Sequence, residues 1–211
     1  MKSIFYSAVI AFLLCYPQFS SQAQAEIYLS GSVAASQSYD FDVDSATSSL
    51  AEISFKPGYS LTMALGMGID LDIEGRVEIE GGYNVNDVDE VVVGGGPTST
   101  PGGELTTAFL MANTYHDYDI QSVFTPFFGL GAGIADITLN LENYGESSDT
   151  VFAYQAILGE SYAITKNLNL ELKYRYLGTT TVELTSKDAT LDSYETDLSQ
   201  HNIHLGLRYQ F

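Results

Sequence analysis

Apolar and polar residues alternate with a period of two along most of this chain. The clearest example runs from Tyr59 to Leu71, where large apolar side chains alternate with small or polar ones. Because successive side chains of a β-strand point to opposite faces, this pattern predicts a strand with one apolar face and one small or polar face. A strand of a soluble β-sandwich seldom keeps such alternation for so long.

Eight strands of this kind are predicted, with long polar loops and tight turns alternating between them. The strand at 104–116 has two mixed faces, so the face that points inward stays open. The predicted long loops lie at 39–52, 87–103, 138–150 and 180–197. The predicted strands lie at 26–38, 59–71, 73–85, 104–116, 122–137, 151–164, 168–176 and 201–211.

These features favour an all-β fold, an eight-stranded antiparallel up-and-down transmembrane β-barrel. Each predicted strand supplies the roughly 10 residues that a tilted strand needs to cross a bilayer. Long loops that alternate with short turns are typical of outer-membrane barrels, in which the turns lie in the periplasm and the loops are extracellular. An even number of strands then places both termini in the periplasm.

A soluble lipocalin-like barrel is the main structural alternative, because it is also secreted and eight-stranded. Such a barrel turns its apolar face inward and usually carries a tryptophan near the first strand. This chain has no tryptophan, and its charged residues share a strand face with glycines. Small side chains suit a crowded interior better than a solvated exterior, so the membrane barrel is favoured.

The first 25 residues have the pattern of a secretory signal peptide that is removed before folding. A short apolar run precedes a small-x-small cleavage site at 23–25. Cys15 follows Leu14 rather than a small residue, which argues against a lipoprotein. Residues 26–211 then form a single outer-membrane β-barrel domain of a Gram-negative cell. This mature segment has no cysteine, so no disulfide framework is predicted.

Charged residues of the strands are predicted to point into the barrel. Four acids and four bases sum to zero there, so the net charge of −19 lies mostly in the loops. An eight-stranded barrel is just wide enough for side chains to fill it, and an unpaired buried charge costs several kcal/mol. We therefore predict a closed, salt-bridged interior without a continuous channel. The predicted network consists of Glu74, Arg76, Glu78, Glu80, Glu171, Lys173, Arg175 and Arg208.

Candidate chemistry outside this network is sparse. The acidic balance excludes a nucleic-acid partner, since phosphate binding needs Lys and Arg. His201 and His204 are predicted on opposite faces of one strand, and His116 falls at the periplasmic end. The alternating aspartates at 40–44 lack the glycine and the closing glutamate of a calcium loop, so a solvated loop is favoured. We therefore predict no catalytic residues, no cofactor and no metal site.

Four segments carry a resemblance to a known family: Lys56-Pro57-Gly58-Tyr59, residues 126–133, residues 172–178 and residues 201–211. At matching strand positions the chain resembles the eight-stranded surface-antigen and Opa-type group within the OmpA-like barrel superfamily, over nearly its whole mature length. The resemblance implies surface exposure, immunogenicity and, in some members, adhesion. It implies no shared ligand, because a fold does not determine a function.

The last strand also resembles the C-terminal assembly signal of outer-membrane barrels, in which apolar residues alternate up to an aromatic one. The resemblance implies contact between this strand and the barrel-assembly machinery. It also implies that the apolar face of the strand contacts outer-membrane lipid. The predicted signal residues are Leu205, Leu207, Tyr209 and Phe211.

Together these patterns predict an integral surface protein of the outer membrane, with a structural or antigenic role. Its acidic extracellular loops are candidates to bind a host or environmental surface ligand. A small passive pore for ions or small solutes is the alternative, since it requires only an open lumen. A lipid-modifying enzyme of the outer membrane is less favoured, because the three histidines share no site.

Overall fold

The computed structural model describes residues 26–38, 41–45, 51–55, 60–71, 75–93, 103–141, 145–184 and 194–211. The predicted signal peptide at 1–25 lies outside the described residues. Within the described segments there are twelve β-strands, which form one antiparallel sheet. No helix in these segments has the length and apolar character needed to cross a membrane.

Eight of the strands are long and four are short. In chain order the strands are β1 (Glu26–Ser38), β2 (Phe41–Ser45), β3 (Ala51–Phe55), β4 (Ser60–Asp70), β5 (Gly75–Val93), β6 (Gly103–Asp117), β7 (Phe124–Leu141), β8 (Gly145–Ala163), β9 (Leu168–Thr179), β10 (Val182–Leu184), β11 (Tyr194–Thr196) and β12 (Ser199–Gln210).

The long strands close into a barrel in the order β1-β4-β5-β6-β7-β8-β9-β12. Every neighbouring pair is antiparallel, and β12 pairs with β1 from Tyr28↔Gln210 to Ser38↔Gln200. Closure leaves no unpaired edge in the ring, which is the condition for a sheet to be stable in hydrocarbon. The predicted fold class, an eight-stranded antiparallel barrel, is confirmed.

Both ends of the described chain lie at the same end of the barrel, which we call the terminal end; the opposite end is the loop end. The Phe211 N–H donates to the Ile27 carbonyl at 3.1 Å there. The strand pairs β4–β5, β6–β7 and β8–β9, which are predicted to be joined by tight turns, also end at the terminal end.

The sheet extends further at the loop end than the sequence predicts. β5 continues to Val93, and the β7–β8 pairing stays in register up to Leu141↔Gly145, so the predicted loop at 138–150 is mostly strand. Three short strands, β2, β10 and β11, also lie within predicted loops, and β3 begins in one; the sheet order there is β10-β11-β2-β3-β5. The predicted loop boundaries at this end are therefore wrong.

The outer face changes character along β6, β7 and β8. Three cross-strand neighbours, Leu110, Ile134 and Phe152, form the last apolar row toward the loop end, and all three are exposed. Beyond it the outward residues are small or polar. These rows are Ala108–Asp136–Thr150, Thr106–Thr138–Ser148 and Glu104–Asn140–Glu146. We call residues 103–109, 135–141 and 145–151 the extension, and the rest of the long strands the barrel body.

The inner face changes in the opposite sense. In the extension the inward residues are mainly apolar and buried, and they are joined by Val182 of β10 and by Leu198, which directly precedes β12. This apolar cluster explains why the extension stays as sheet. Its members in β6–β8 are Leu105, Phe109, Met111, Ala135, Ile137, Leu139, Val151 and Ala153. Two rows into the barrel body the inward residues are Asn113, Gly131 and Gln155. From there to the terminal end, polar and charged side chains share the interior with the buried side chains of Tyr115, Phe127 and Ile157.

Candidate functional site

The interior of the barrel body holds the strand charges that the sequence singles out. Seven of the eight predicted network residues are described, and all seven are buried. Glu74 lies outside the described residues. The seven residues are Arg76, Glu78, Glu80, Glu171, Lys173, Arg175 and Arg208.

Glu171 is the centre of a cluster near the terminal end. Its Oε1 accepts a hydrogen bond from Arg208 Nε at 2.8 Å and one from Arg76 Nη1 at 3.3 Å. Lys173 Nζ lies 3.6 Å from Oε2 of the same carboxylate. One buried acid therefore holds three cations that come from β5, β9 and β12.

Two aspartates outside the predicted network complete the neutralisation of its charges. Asp117 accepts from Arg76 through both carboxylate oxygens, at 2.7 and 2.9 Å, in a bidentate pair. Asp70 Oδ2 lies 3.8 Å from Arg208 Nη1. Both aspartates end their strands beside a turn, so periodicity alone marks them as turn residues and not as partners of the network.

Arg76 is also enclosed by aromatic rings. Its guanidinium carbon lies 4.7 Å from the ring centroid of Tyr115 and 4.9 Å from that of Phe127. Rings at these distances attract a cation through their quadrupole and exclude water from it. The side chain is 1% exposed, so its charge is held by Asp117, Glu171 and these rings rather than by solvent.

A second cluster lies about midway through the barrel body, around Glu80. Arg175 pairs with Glu80 Oε1, while Asn113 Nδ2 donates to Oε2 at 2.8 Å and Gln155 Nε2 donates at 3.3 Å. The Arg175 guanidinium carbon also lies 5.3 Å from the Phe109 ring centroid. This cluster ties β5, β6, β8 and β9 together across the lumen.

Glu78 is predicted to form a salt bridge, but its partners in the structure are neutral. Its carboxylate accepts from Ser30 Oγ at 2.9 Å, from the Tyr115 hydroxyl at 2.9 Å and from Asn113 Nδ2 at 3.4 Å. Among the described side chains, no Lys or Arg forms a salt bridge with it. The expectation that four bases pair with four glutamates is therefore wrong for Glu78. Hydroxyl and amide donors, rather than a base, occupy its carboxylate oxygens.

Glycines on the inner face make room for these bulky residues, as the sequence predicts. A Cβ on Gly129 would lie 2.7 Å from Tyr115 Cε1, and one on Gly131 would lie 2.8 Å from Gln155 Cγ. Any larger residue would displace an aromatic ring or an amide of the network. The glycine face is thus the complement of the charged face on neighbouring strands.

The histidines lie on different surfaces. His204 is fully buried in the lumen, where its Nδ1 is 3.1 Å from Ser32 Oγ. His201 points outward and forms a hydrogen bond with the Tyr174 hydroxyl. His116 is exposed at the terminal end, with its ring 4.6 Å from that of Tyr118. Within the described segments no three metal-ligating side chains come together; the side chains at 40–44 lie outside that description.

The predicted assembly-signal residues all lie on the outer face. Leu205, Leu207, Tyr209 and Phe211 are between 47% and 66% exposed, and their strand pairs with β1 and β9. The Tyr209 and Phe211 rings form an edge-to-face pair with centroids 5.1 Å apart. An apolar outer face of this kind, together with a polar lumen, is the arrangement of a barrel surrounded by lipid.

The family model described as "Outer membrane protein beta-barrel domain" matches residues 6–211. The chain belongs to this family. It is similar to the outer membrane protein PagN of Salmonella typhimurium, with 22% identity over 158 residues, or 68% of this chain and 64% of PagN. It is also 27% identical over 196 residues to an outer membrane protein of Gluconacetobacter diazotrophicus, covering 78% of this chain and 50% of that protein. The chain thus spans about half to two thirds of these relatives.

Solved structures of outer-membrane barrels share the fold. Neisserial surface protein A (NspA) has a TM-score of 0.58 at 17% identity, covering 89% of this chain and 99% of NspA. OprG of Pseudomonas aeruginosa has a TM-score of 0.60 at 15% identity, covering 90% and 96%. The outer membrane protease OmpT of Escherichia coli has a TM-score of 0.54 at 10% identity, covering 92% and 99%. The family match and the apolar outer face together indicate that this barrel crosses the outer membrane with its eight long strands.

Proposed function

We propose that this outer-membrane barrel is a closed surface protein, with its interior filled and its loop end carrying any partner contacts. The observation that carries the proposal is the cluster around Glu171, where one carboxylate bridges cations from three strands across the lumen. Such a cluster leaves little room in an eight-stranded barrel, whose interior is just wide enough for side chains.

A second layer supports the same proposal. Above the charged clusters, the apolar residues of the extension and Leu198 fill the loop-end interior. A solute would have to displace buried apolar side chains and then break buried ion pairs. The second step is especially costly, because a buried charge that loses its partner cannot be solvated by water in so narrow a lumen.

Planar-bilayer recording tests whether the lumen is closed. We expect the purified barrel to show no steady conductance above the bare membrane, and Glu171→Ala to show more current than the unsubstituted barrel. Steady, large conductance from the unsubstituted protein would instead establish the alternative, a small passive pore for ions or small solutes.

Surface exposure and adhesion rest on the loops. In the proposed orientation the termini are periplasmic and the acidic loops are extracellular, where they meet a host or environmental surface. Neutral amide replacements of Asp188, Asp192, Glu195 and Asp197 should leave folding intact, since surface charges contribute little to stability. The same variant should lower adhesion of producing bacteria to cultured epithelial cells. A variant that no longer folds would show that this loop is structural and weaken the adhesive role.

We also infer a non-enzymatic role. OmpT shares the fold, so the fold alone does not decide activity. The inference is supported by the positions of the histidines, since His201 and His204 lie on opposite sides of the wall and His116 at the terminal end. Deacylation of phospholipid or lipopolysaccharide by the purified barrel, abolished by His204→Ala, would overturn it.

A further inference from the structure

One side of the outer wall carries a compact group of polar aromatic side chains, which we call the Tyr–His patch: Tyr154, Tyr174, Tyr176 and His201. Their ring centroids are 6.4 Å apart for Tyr154 and Tyr176, 5.1 Å for Tyr176 and His201, and 5.7 Å for Tyr174 and His201. β8, β9 and β12 contribute the four residues, and the Tyr174 hydroxyl forms a hydrogen bond with His201 Nδ1.

The backbone under the patch is adapted to it. Gly178 faces outward beneath Tyr154, and a Cβ there would lie 2.6 Å from the Tyr154 ring. The missing side chain lets this ring lie across the strand toward Tyr176. Tyr154 and Tyr174 are nevertheless 44% exposed each, so the patch offers accessible ring faces as well as hydroxyl groups.

The patch lies at a defined depth. Tyr154 is one row to the terminal side of the last apolar row, and Tyr174 is the deepest of the four. Because the strands of a barrel are tilted, a row does not run at constant depth, so the depth on β9 and β12 is taken from those strands themselves. There Tyr176 and His201 are the last large outward side chains, since a glycine and a serine occupy the next outward positions toward the loop end. This is the level at which the outer face passes from apolar to polar. In a membrane protein it corresponds to the boundary between hydrocarbon and headgroups, where amphipathic rings are stable.

The patch is also one-sided. On the β1, β4, β5 and β6 side, Tyr83 is the only aromatic residue among the described outward residues in the loop half of the body. A belt that merely anchors the barrel would be expected around its whole circumference. A local cluster of four polar rings instead has the dimensions of a site for one headgroup.

The charge of the wall selects the headgroup. All Lys and Arg residues on the described strands point into the lumen: Arg76, Lys173, Arg175 and Arg208. Along the described strands, the outer wall therefore offers no guanidinium or ammonium group to hold a lipid phosphate. Phenol and imidazole groups can both donate to and accept from sugar hydroxyls, and their rings can cover the C–H face of a sugar.

We propose that the Tyr–His patch binds the sugar headgroup of a glycolipid in the leaflet at the loop end. The proposed function makes that leaflet the outer one, and this assignment rests on it. The contact itself depends only on the four side chains and on their depth in the bilayer.

The test uses the full barrel folded into phosphatidylcholine vesicles that contain digalactosyl diacylglycerol, an uncharged glycolipid. Native mass spectrometry then counts the glycolipids that stay bound. We expect Tyr176→Leu to weaken retention about tenfold, the change expected from loss of one aromatic contact. His201→Gln should weaken it less, because only the imidazole contacts are lost. Heat-modifiable migration on gels verifies that each variant is folded.

Tyr83→Leu, on the opposite wall, is the matched control and should retain glycolipid as the unsubstituted barrel does. Equal losses from Tyr83→Leu and Tyr176→Leu would reveal a general aromatic belt and overturn the site. Preference for phosphatidylglycerol over the glycolipid would overturn the sugar assignment. A barrel dimer that forms through the patch would show that a second barrel, and not a lipid, binds there, and would also overturn the proposal. None of these outcomes bears on conductance, so the closed lumen stands or fails separately.

Discussion

The barrel body and the extension are built from the same strands with opposite rules. In the body, apolar residues such as Leu130 and Ile134 face outward and charges such as Glu171 face inward. In the extension, Asp136 faces outward, and Ile137 and Leu139 are buried inside. The difference follows from the surroundings, because an apolar exterior is stable in lipid, whereas in water an apolar core is stable. The row of Ile134 marks where one solvent replaces the other.

The interior of the body should be the most sensitive part of this arrangement. Glu171→Ala leaves Arg76, Arg208 and Lys173 short of their shared acid, so we expect a loss of about 3–5 kcal/mol in the free energy of unfolding. Equilibrium unfolding in urea, with the barrel in lipid vesicles, measures it. Glu146→Ala removes an exposed glutamate of the extension and should leave the unfolding midpoint unchanged. Similar losses in both variants would contradict the buried network.

The outer face gives the next largest effect. Leu130→Arg places a charge against hydrocarbon and should cost about 2–4 kcal/mol near the bilayer midplane. Thr138→Arg makes the same addition on the same strand, but in the extension, where the residue meets water. We expect little change there. Unfolding of both variants in the same vesicles decides the point, and an equal cost would place the membrane boundary nearer the loop end than Ile134.

The join between the two regions gives the smallest effect. A Cβ on Gly133 would lie 2.8 Å from Met111 Cα and 2.9 Å from the Leu110 carbonyl carbon, both backbone atoms of β6. Gly133→Ala should therefore push β6 and β7 apart and cost about 1–3 kcal/mol. At Gly81 the nearest atom is 3.9 Å away, so Gly81→Ala should be neutral or slightly stabilising. Hydrogen exchange of β6 and β7 amides would locate the change, and unaltered exchange in Gly133→Ala would contradict it.

Much of the body can be predicted from periodicity alone. The inward parity of Arg76, Glu171 and Arg175 follows from counting residues in twos, and so does the separation of His201 from His204. Period-two alternation is decisive there because a one-residue shift would turn every charge toward lipid. The inner glycines could be interpreted in the same way, since each implies a bulky neighbour.

β6 shows where periodicity is not enough. Its two faces look mixed because the strand crosses both regions: Leu105 and Met111 face inward among apolar neighbours, while Asn113 faces inward into the polar network. Once the solvent boundary is known, both faces become regular. The boundary itself is set by three strands together, as the row of Leu110 shows.

The sequence by itself determined the eight strands, their inner and outer faces and the concentration of strand charges in the lumen, because each depends on local alternation along one strand. Only the tertiary structure decided which charges meet. The pairing of Arg76 with Asp117, and of Glu78 with Ser30 and Tyr115, depends on the stagger of neighbouring strands and on side-chain reach across the lumen. The extension likewise depends on contacts between distant segments, since Leu198 and Val182 cover a core that no single strand contains.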